Sequence, residues 1–164
     1  MRYLFLLFHL LLVLISGGQL PRGVTDPLQD RWAIAIHGGA GAISEDAPQE
    51  LQDAYRESLV SALKIGTGII RSGGDGLDAV EQVIRYLEDD PLFNAGLGAV
   101  FNSEGKHELD ASIMDGSDLS CGAVAGVRTV RHPITLARKV MTETLHVLFA
   151  GAGAETFASQ SGVE

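Results

Sequence analysis

The sequence predicts an α+β layered domain. Two long stretches keep apolar residues at helical three-and-four spacing, a later stretch alternates at strand spacing, and glycine clusters separate the runs. That order sets helices first and strands after them, unlike the regular alternation of a doubly wound sheet. With 46% hydrophobic and 20% charged residues, the 164-residue chain has enough apolar material for one core.

The first residues differ in kind. Leu4 to Ile15 is apolar except for His9, and Ser16-Gly17-Gly18 supplies small residues where a signal peptidase would cut. Residues 1–18 are therefore expected to be a signal peptide that exports the protein to a periplasmic or extracellular space. A membrane anchor would need roughly 18–20 apolar residues. Residues 19–31, with two prolines and mixed polar residues, are read as a linker. The folded domain is expected over 32–164.

Trp32-Ala33-Ile34-Ala35-Ile36 reads as a buried strand running into the glycine turn of His37-Gly38-Gly39. Leu51, Ala54, Tyr55, Leu59, Ala62, Ile65 and Ile69 predict a helix over Pro48–Ser72, with Asp46 as its cap and Gly73-Gly74 as its end. Asp75 should cap a second helix with Leu77, Val80, Ile84 and Leu87 on its apolar face, ending before Asp90-Pro91. Leu109, Ala111 and Ile113 alternate with Glu108, Asp110 and Ser112, which predicts a strand with Ala99-Val100-Phe101 as its hairpin partner. Cys121–Val127 reads as a further strand, Pro133–Met141 as a short helix and His146–Ala150 as a last strand. The strands from Trp32, Ala99, Glu108 and Cys121 are expected in one sheet, covered on one face by the two long helices.

A charge of −9 argues against a nucleic-acid partner, because phosphate binding needs an excess of Lys and Arg. A small molecule is the expected ligand. Cys121 stands alone, so it supports neither an intrachain disulfide nor a cysteine zinc site. His107, His132 and His146 show no metal-binding spacing.

Three segments are candidates for chemistry. His37-Gly38-Gly39-Ala40-Gly41 lets backbone N–H groups approach a ligand, yet it has neither P-loop nor dinucleotide spacing, and a plain tight turn fits equally. Glu88-Asp89-Asp90 sets three acids at a helix C-terminus, where the dipole prefers cations. Either a cation bound by loop carbonyls relieves that conflict, or the helix end is solvated and frayed. Asn94 is a neutral donor suited to a developing oxyanion, or an ordinary turn asparagine. Glu108 and Asp110 read as an acid/base pair or as a solvent-facing stripe, and Ser112 lacks the elbow of an α/β-hydrolase nucleophile.

Taken in order, His37 to Gly41, Leu87 to Gly98 with Ala99-Val100-Phe101, Glu108 to Gly116, Gly122 to Val127, and Pro133-Ile134 with Leu136-Ala137-Arg138 resemble the isoaspartyl peptidase/plant-type L-asparaginase family. The match runs from Trp32 to Ala158. The resemblance implies the αββα sandwich of the N-terminal-nucleophile hydrolases, of which this chain would hold the α-subunit half. It implies self-cleavage before a threonine, whose freed amine acts as base for its own hydroxyl. L-Asparagine and β-aspartyl dipeptides are the implied substrates, with the chain's own β-subunit as partner in a homodimer of αβ units. Asn94 is implied as an active-site donor, and His37, Gly38 and Gly39 as the turn that influences self-cleavage. The main-chain carbonyls of Leu87, Glu88, Phe93, Asn94, Ala95 and Leu97 are implied to hold a structural sodium; no cofactor is implied for catalysis.

No threonine here has the expected context of a preceding glycine and a following Val-Gly-Ala-Val. The chain is accordingly expected to be an N-terminal part without the nucleophile. Two smaller departures are His132 before Pro133, where the family tends to have asparagine, and Leu145 before His146, where proline is common. The competing expectations are a catalytically inactive α-subunit-like binding or assembly module, a phosphate- or nucleotide-binding protein built on the glycine turn, and a relative that processes glycosylated asparagine.

Overall fold

The computed structural model describes residues 32–39 and 46–163. The expected signal peptide and linker lie outside the described residues. Contacts divide the chain into Met1–Ala33 and Ile34–Glu164; only Trp32 and Ala33 of the first unit are described, and the architecture below is that of the second.

The second unit is α+β, as predicted. Helix α1 spans Gln49–Arg71 and α2 spans Gly76–Glu88. A 3-10 turn at Gly96–Gly98 leads to strands β1, Leu109–Met114, and β2, Cys121–Val127. Helix α3, Pro133–Glu143, is followed by β3, Leu148–Ala150, and α4, Gly151–Ser161. The sheet order is β1-β2-β3, with β1 and β2 antiparallel and β2 and β3 parallel. Helix α3 is thus the crossover that parallel pairing requires. Among the described residues no helix is long and apolar enough to cross a membrane.

Both long helices form where their apolar spacing places them. Asp75 caps α2 by accepting the Leu77 N–H at 2.6 Å. The N-cap of α1 is Pro48, and no side chain caps it, which corrects the expectation for Asp46. Proline needs little help there, since its missing N–H is one the first turn would leave unpaired.

The layering departs from expectation. The helix on the sheet is α3, while α1 packs on α2 and α2 reaches the sheet layer through α3. Two features favour α3: it buries Ile134, Leu136, Ala137 and Val140 on one face, and it meets β2 at a residue with no side chain. A methyl group at Gly122 would overlap the Ala137 carbonyl oxygen and stand 2.5 Å from the Met141 amide nitrogen. The core joins these α3 residues to Ile113, Val124, Val127, Val130, Ala154 and Ala158.

Two expected strands are absent from the sheet. Trp32–Ile36 alternates half-buried and exposed residues as a strand would, yet pairs with no strand among the described residues. Ala99–Phe101 is not paired with β1, whose antiparallel partner is β2. The Val100 N–H instead donates to the Asn94 side chain at 2.9 Å. The β1 and β2 strands face α3 on one side only. On the other side Met114 and Leu148 are 56% and 53% exposed, and a groove of about 520 Å³ runs between Ser112, Met114, Cys121, Ala123, Val147 and Leu148.

Candidate functional site

The end of α2 and the loop after it bring most of the sequence-predicted residues together. Phe93 is buried and meets the Tyr55 ring edge-on, with centroids 5.6 Å apart. Ile34 rests on the bare backbone of Gly66 in α1, and the chain then runs to Gly38. A methyl there would come within 3.0 Å of the Phe93 ring and 3.3 Å of Leu59. The His37-Gly38-Gly39 turn therefore lies against the residue that precedes Asn94. Gly39 has φ +111°, a conformation that suits glycine, and its N–H donates to His37 Nδ1 at 3.0 Å. That bond leaves Nε2 as the donor end of a neutral His37.

Asn94 is exposed, with Oδ1 accepting the Val100 N–H. The Val100 N–H assigns the oxygen to the backbone, and no hydrogen bond among the described residues takes the Nδ2 hydrogens of this exposed side chain. This is the polarity an oxyanion donor needs.

The loop winds tightly around its own carbonyls. A methyl at Gly96, where φ is +48°, would overlap the Glu88 carbonyl, and one at Gly98 would overlap that of Phe93 and lie 2.7 Å from that of Pro91. The carbonyls of Leu87, Phe93 and Ala95 each accept one backbone N–H, from Asp90, Ala95 and Gly98. Each keeps a second lone pair. Main-chain carbonyl oxygens with a remaining lone pair are the ligand type that a hard cation takes. No group of three or more His, Cys, Asp or Glu side chains among the described residues could hold a metal.

The three acids at the end of α2 each have a protein partner. Asp89 pairs with Arg131 at 2.9 Å, while Asp90 accepts the Leu92 N–H at 2.9 Å and the Ser58 hydroxyl. Glu88, 3% exposed, turns inward to the N-terminus of α3. Its Oε1 accepts the Ile134 N–H at 3.1 Å and its Oε2 lies 3.1 Å from His132 Nδ1. The unfavourable position on the α2 dipole is thus offset by a favourable one on the α3 dipole. Burial pushes the Glu88 carboxyl up to about 7 against the pull of the Ile134 N–H and Arg85. Burial, with Arg85 next, holds His132 below its ordinary value. Both shifts disfavour charge, which weights the contact toward a neutral hydrogen-bonded pair rather than an ion pair.

The same seam continues along α2 and α3. Buried Glu81 accepts from Arg138 at 2.7 Å and from the Thr135 hydroxyl at 2.6 Å, and Arg138 also reaches Asp78 at 2.7 Å. Sequence reasoning did not find the Glu88 and Glu81 contacts, because their partners lie 44 to 57 residues away. The one available signal was the acidic end of α2.

The strand carboxylates are structural. Glu108 precedes β1 and pairs with Arg128, and Asp110 accepts the Gly126 N–H at 2.8 Å beside an irregularity in the β1–β2 register. Neither side chain is positioned as a free acid or base. Every described threonine has a hydrogen-bonded hydroxyl. Thr67, Thr142, Thr144 and Thr156 donate to carbonyls one turn back, Thr129 to Glu155 and Thr135 to Glu81. None of these is followed by Val-Gly-Ala-Val. The groove on the open sheet face includes none of residues 37–39 or 87–98.

Comparison with known proteins places these residues in context. The family model described as asparaginase matches residues 30–164. The chain is 50% identical over 133 residues to the isoaspartyl peptidase of Escherichia coli K12, covering 80% of this chain and 41% of that protein. It is 49% identical over 131 residues to the isoaspartyl peptidase of Salmonella typhimurium, covering 79% and 42%. To the human isoaspartyl peptidase/L-asparaginase it is 48% identical over 131 residues, covering 79% and 41%. The chain thus spans about two fifths of the length of these curated relatives.

Proposed function

We propose, because the chain belongs to the asparaginase family, that it is part of a self-cleaving threonine amidohydrolase acting on L-asparagine and β-aspartyl dipeptides. The observation that carries this reading is the match over residues 30–164, with relatives whose names state isoaspartyl peptidase and L-asparaginase activity. In this reading the nucleophilic threonine stands outside these 164 residues, and this chain supplies the wall of the site that carries Asn94 and the His37-Gly38-Gly39 turn.

The chemistry asks little of each group. The threonine hydroxyl oxygen attacks the side-chain amide carbon of the substrate, and its proton passes to the threonine's own amine. The carbonyl oxygen becomes an oxyanion, which the Nδ2 hydrogens of Asn94 are suited to meet. The C–N bond then breaks, the proton goes to the leaving nitrogen, and ammonia or an amino acid departs. Water hydrolyses the remaining acyl-enzyme to aspartate.

Several finer features belong to the same reading. A second sheet of an αββα sandwich would cover the open face with Met114 and Leu148. A structural sodium would be held by the main-chain carbonyls of Leu87, Glu88, Phe93, Asn94, Ala95 and Leu97; the crowding of the Glu88 and Phe93 carbonyls around Gly96 and Gly98 supports it. The apolar run Leu4–Ile15 supports export, and the working unit is taken to be a homodimer of αβ pairs.

The experiment is expression of the complete polypeptide that the gene encodes. Two species are expected on a denaturing gel, and N-terminal sequencing of the later one should open on threonine. Replacement of that threonine by alanine should leave a single uncut band. An uncut parent, or a cut at any other residue type, would overturn the threonine mechanism.

A further inference from the structure

We propose that the Glu88 carboxyl, seated on the N-terminus of α3 and on His132, is a positioning group that fixes the loop carrying Asn94. The inference rests on the reading of Asn94 as an active-site donor.

Glu88 is the last residue of α2, and the backbone after it must turn through Asp89 to Gly98 to present Asn94. Several bonds hold that loop to itself or to exposed partners, including Asp90 to Leu92, Asn94 to Val100, and Asp89 to Arg131, whose side chains are 40% and 63% exposed. Exposed ion pairs hold geometry weakly. Asp90 also ties the loop to the buried Ser58 of α1, whereas Glu88 ties it in the other direction. Its carboxyl is buried, and both of its oxygens are engaged by α3 and its cap residue, the helix that packs on the sheet. A hydrogen bond in such a dry place is held more firmly than one in water.

The link to Asn94 is a direct backbone contact. Gly96 folds back onto the Glu88 carbonyl so closely that no Cβ fits between them. A tilt of residue 88 therefore moves residue 96, with Asn94 only two residues before it. The Phe93 ring holds the loop from the α1 side, through Tyr55 and Gly38. Glu88 holds it from the α3 side. Without that second anchor the loop keeps its place on α1 but loses its angle to α3, and Asn94 rotates away from a fixed oxyanion position.

The test uses the complete polypeptide with Glu88→Ala and Glu88→Gln. The glutamine keeps an oxygen for the Ile134 N–H and offers an N–H to His132 Nδ1, so it retains the seat without the carboxyl. Glu88→Ala is expected to lower kcat about tenfold with KM within about twofold, as loss of orientation does, and Glu88→Gln to restore kcat to within about threefold of the parent. Hydrogen exchange at the Val100 amide, whose acceptor is Asn94 Oδ1, should quicken about tenfold in Glu88→Ala while the α1 amides keep parent rates. Parent kcat and parent Val100 exchange in Glu88→Ala would overturn the proposal, as would equal losses in the alanine and glutamine variants. Should Glu88→Ala fail to fold, His132→Ala removes one of the two partners and carries the test. Changes of about threefold in kcat and in Val100 exchange are then expected, and parent values in both would overturn it. A parent protein without turnover would sink the functional reading instead, and the exchange measurement alone would decide whether Glu88 sets the loop.

Discussion

Gly122→Ala is expected to cost about 3 kcal/mol or more of stability. The added carbon would overlap the Ala137 carbonyl and crowd the Met141 amide nitrogen, and both are backbone atoms of α3. A flexible side chain could swing aside; a helix backbone cannot move without carrying Ile134, Leu136 and Val140 out of the core with it. The thermal midpoint should fall by about 10 °C for a protein of this size. Gly68→Ala is the matched control. Gly68 lies exposed within α1 with open space at its Cβ position, so alanine there should raise stability by about 0.5–1 kcal/mol. Equal effects at the two positions would show that α3 does not approach β2 as described.

The second large effect is on catalysis. Asn94→Ala in the complete polypeptide is expected to lower kcat about 10²- to 10³-fold, the usual consequence of removing one oxyanion donor. That variant also takes the acceptor from the Val100 N–H, so a loss alone would be ambiguous. Asn94→Asp separates the two roles: its oxygen still accepts from Val100, while both donors are gone. The same fall in kcat with parent thermal stability would assign the loss to the donor. An Asn94→Asp variant with parent kcat would remove Asn94 from the chemistry.

Much of this architecture was legible because local patterns decided it. The spacing of Leu51 to Ile69 and of Leu77 to Leu87 found α1 and α2, Asp75 was identified as a cap, and Pro133 as a helix start. Alternation found β1 and β2. What escaped depends on contacts between distant residues. Helix α4 went unseen because its buried residues are only Ala154 and Ala158, one turn apart. Ala99–Phe101 has strand-forming residues, but the Asn94 side chain takes the Val100 N–H that pairing would use. Placing α1 and α2 on the sheet was wrong because Gly122 and the dense apolar face of Pro133–Glu143 gave that place to α3.

The candidate site was legible in part for the same reason. The residues around Phe93 and Asn94 and the turn at Gly38 were singled out separately, and packing brings Gly38 onto Phe93. The acids at 88–90 were recognised as misplaced on the α2 dipole. Their relief by Ile134, His132, Arg131 and Ser58 involves segments 32 to 46 residues away, beyond the reach of periodicity. His132, a departure from the family's usual asparagine, contacts Glu88 at the root of the Asn94 loop.

The most direct test of the hydrolase reading is release of free aspartate from a β-aspartyl dipeptide by the complete, purified polypeptide. Many turnovers per molecule are predicted, with ammonia released when asparagine replaces the dipeptide. A folded, self-cleaved protein that releases neither product would contradict the account.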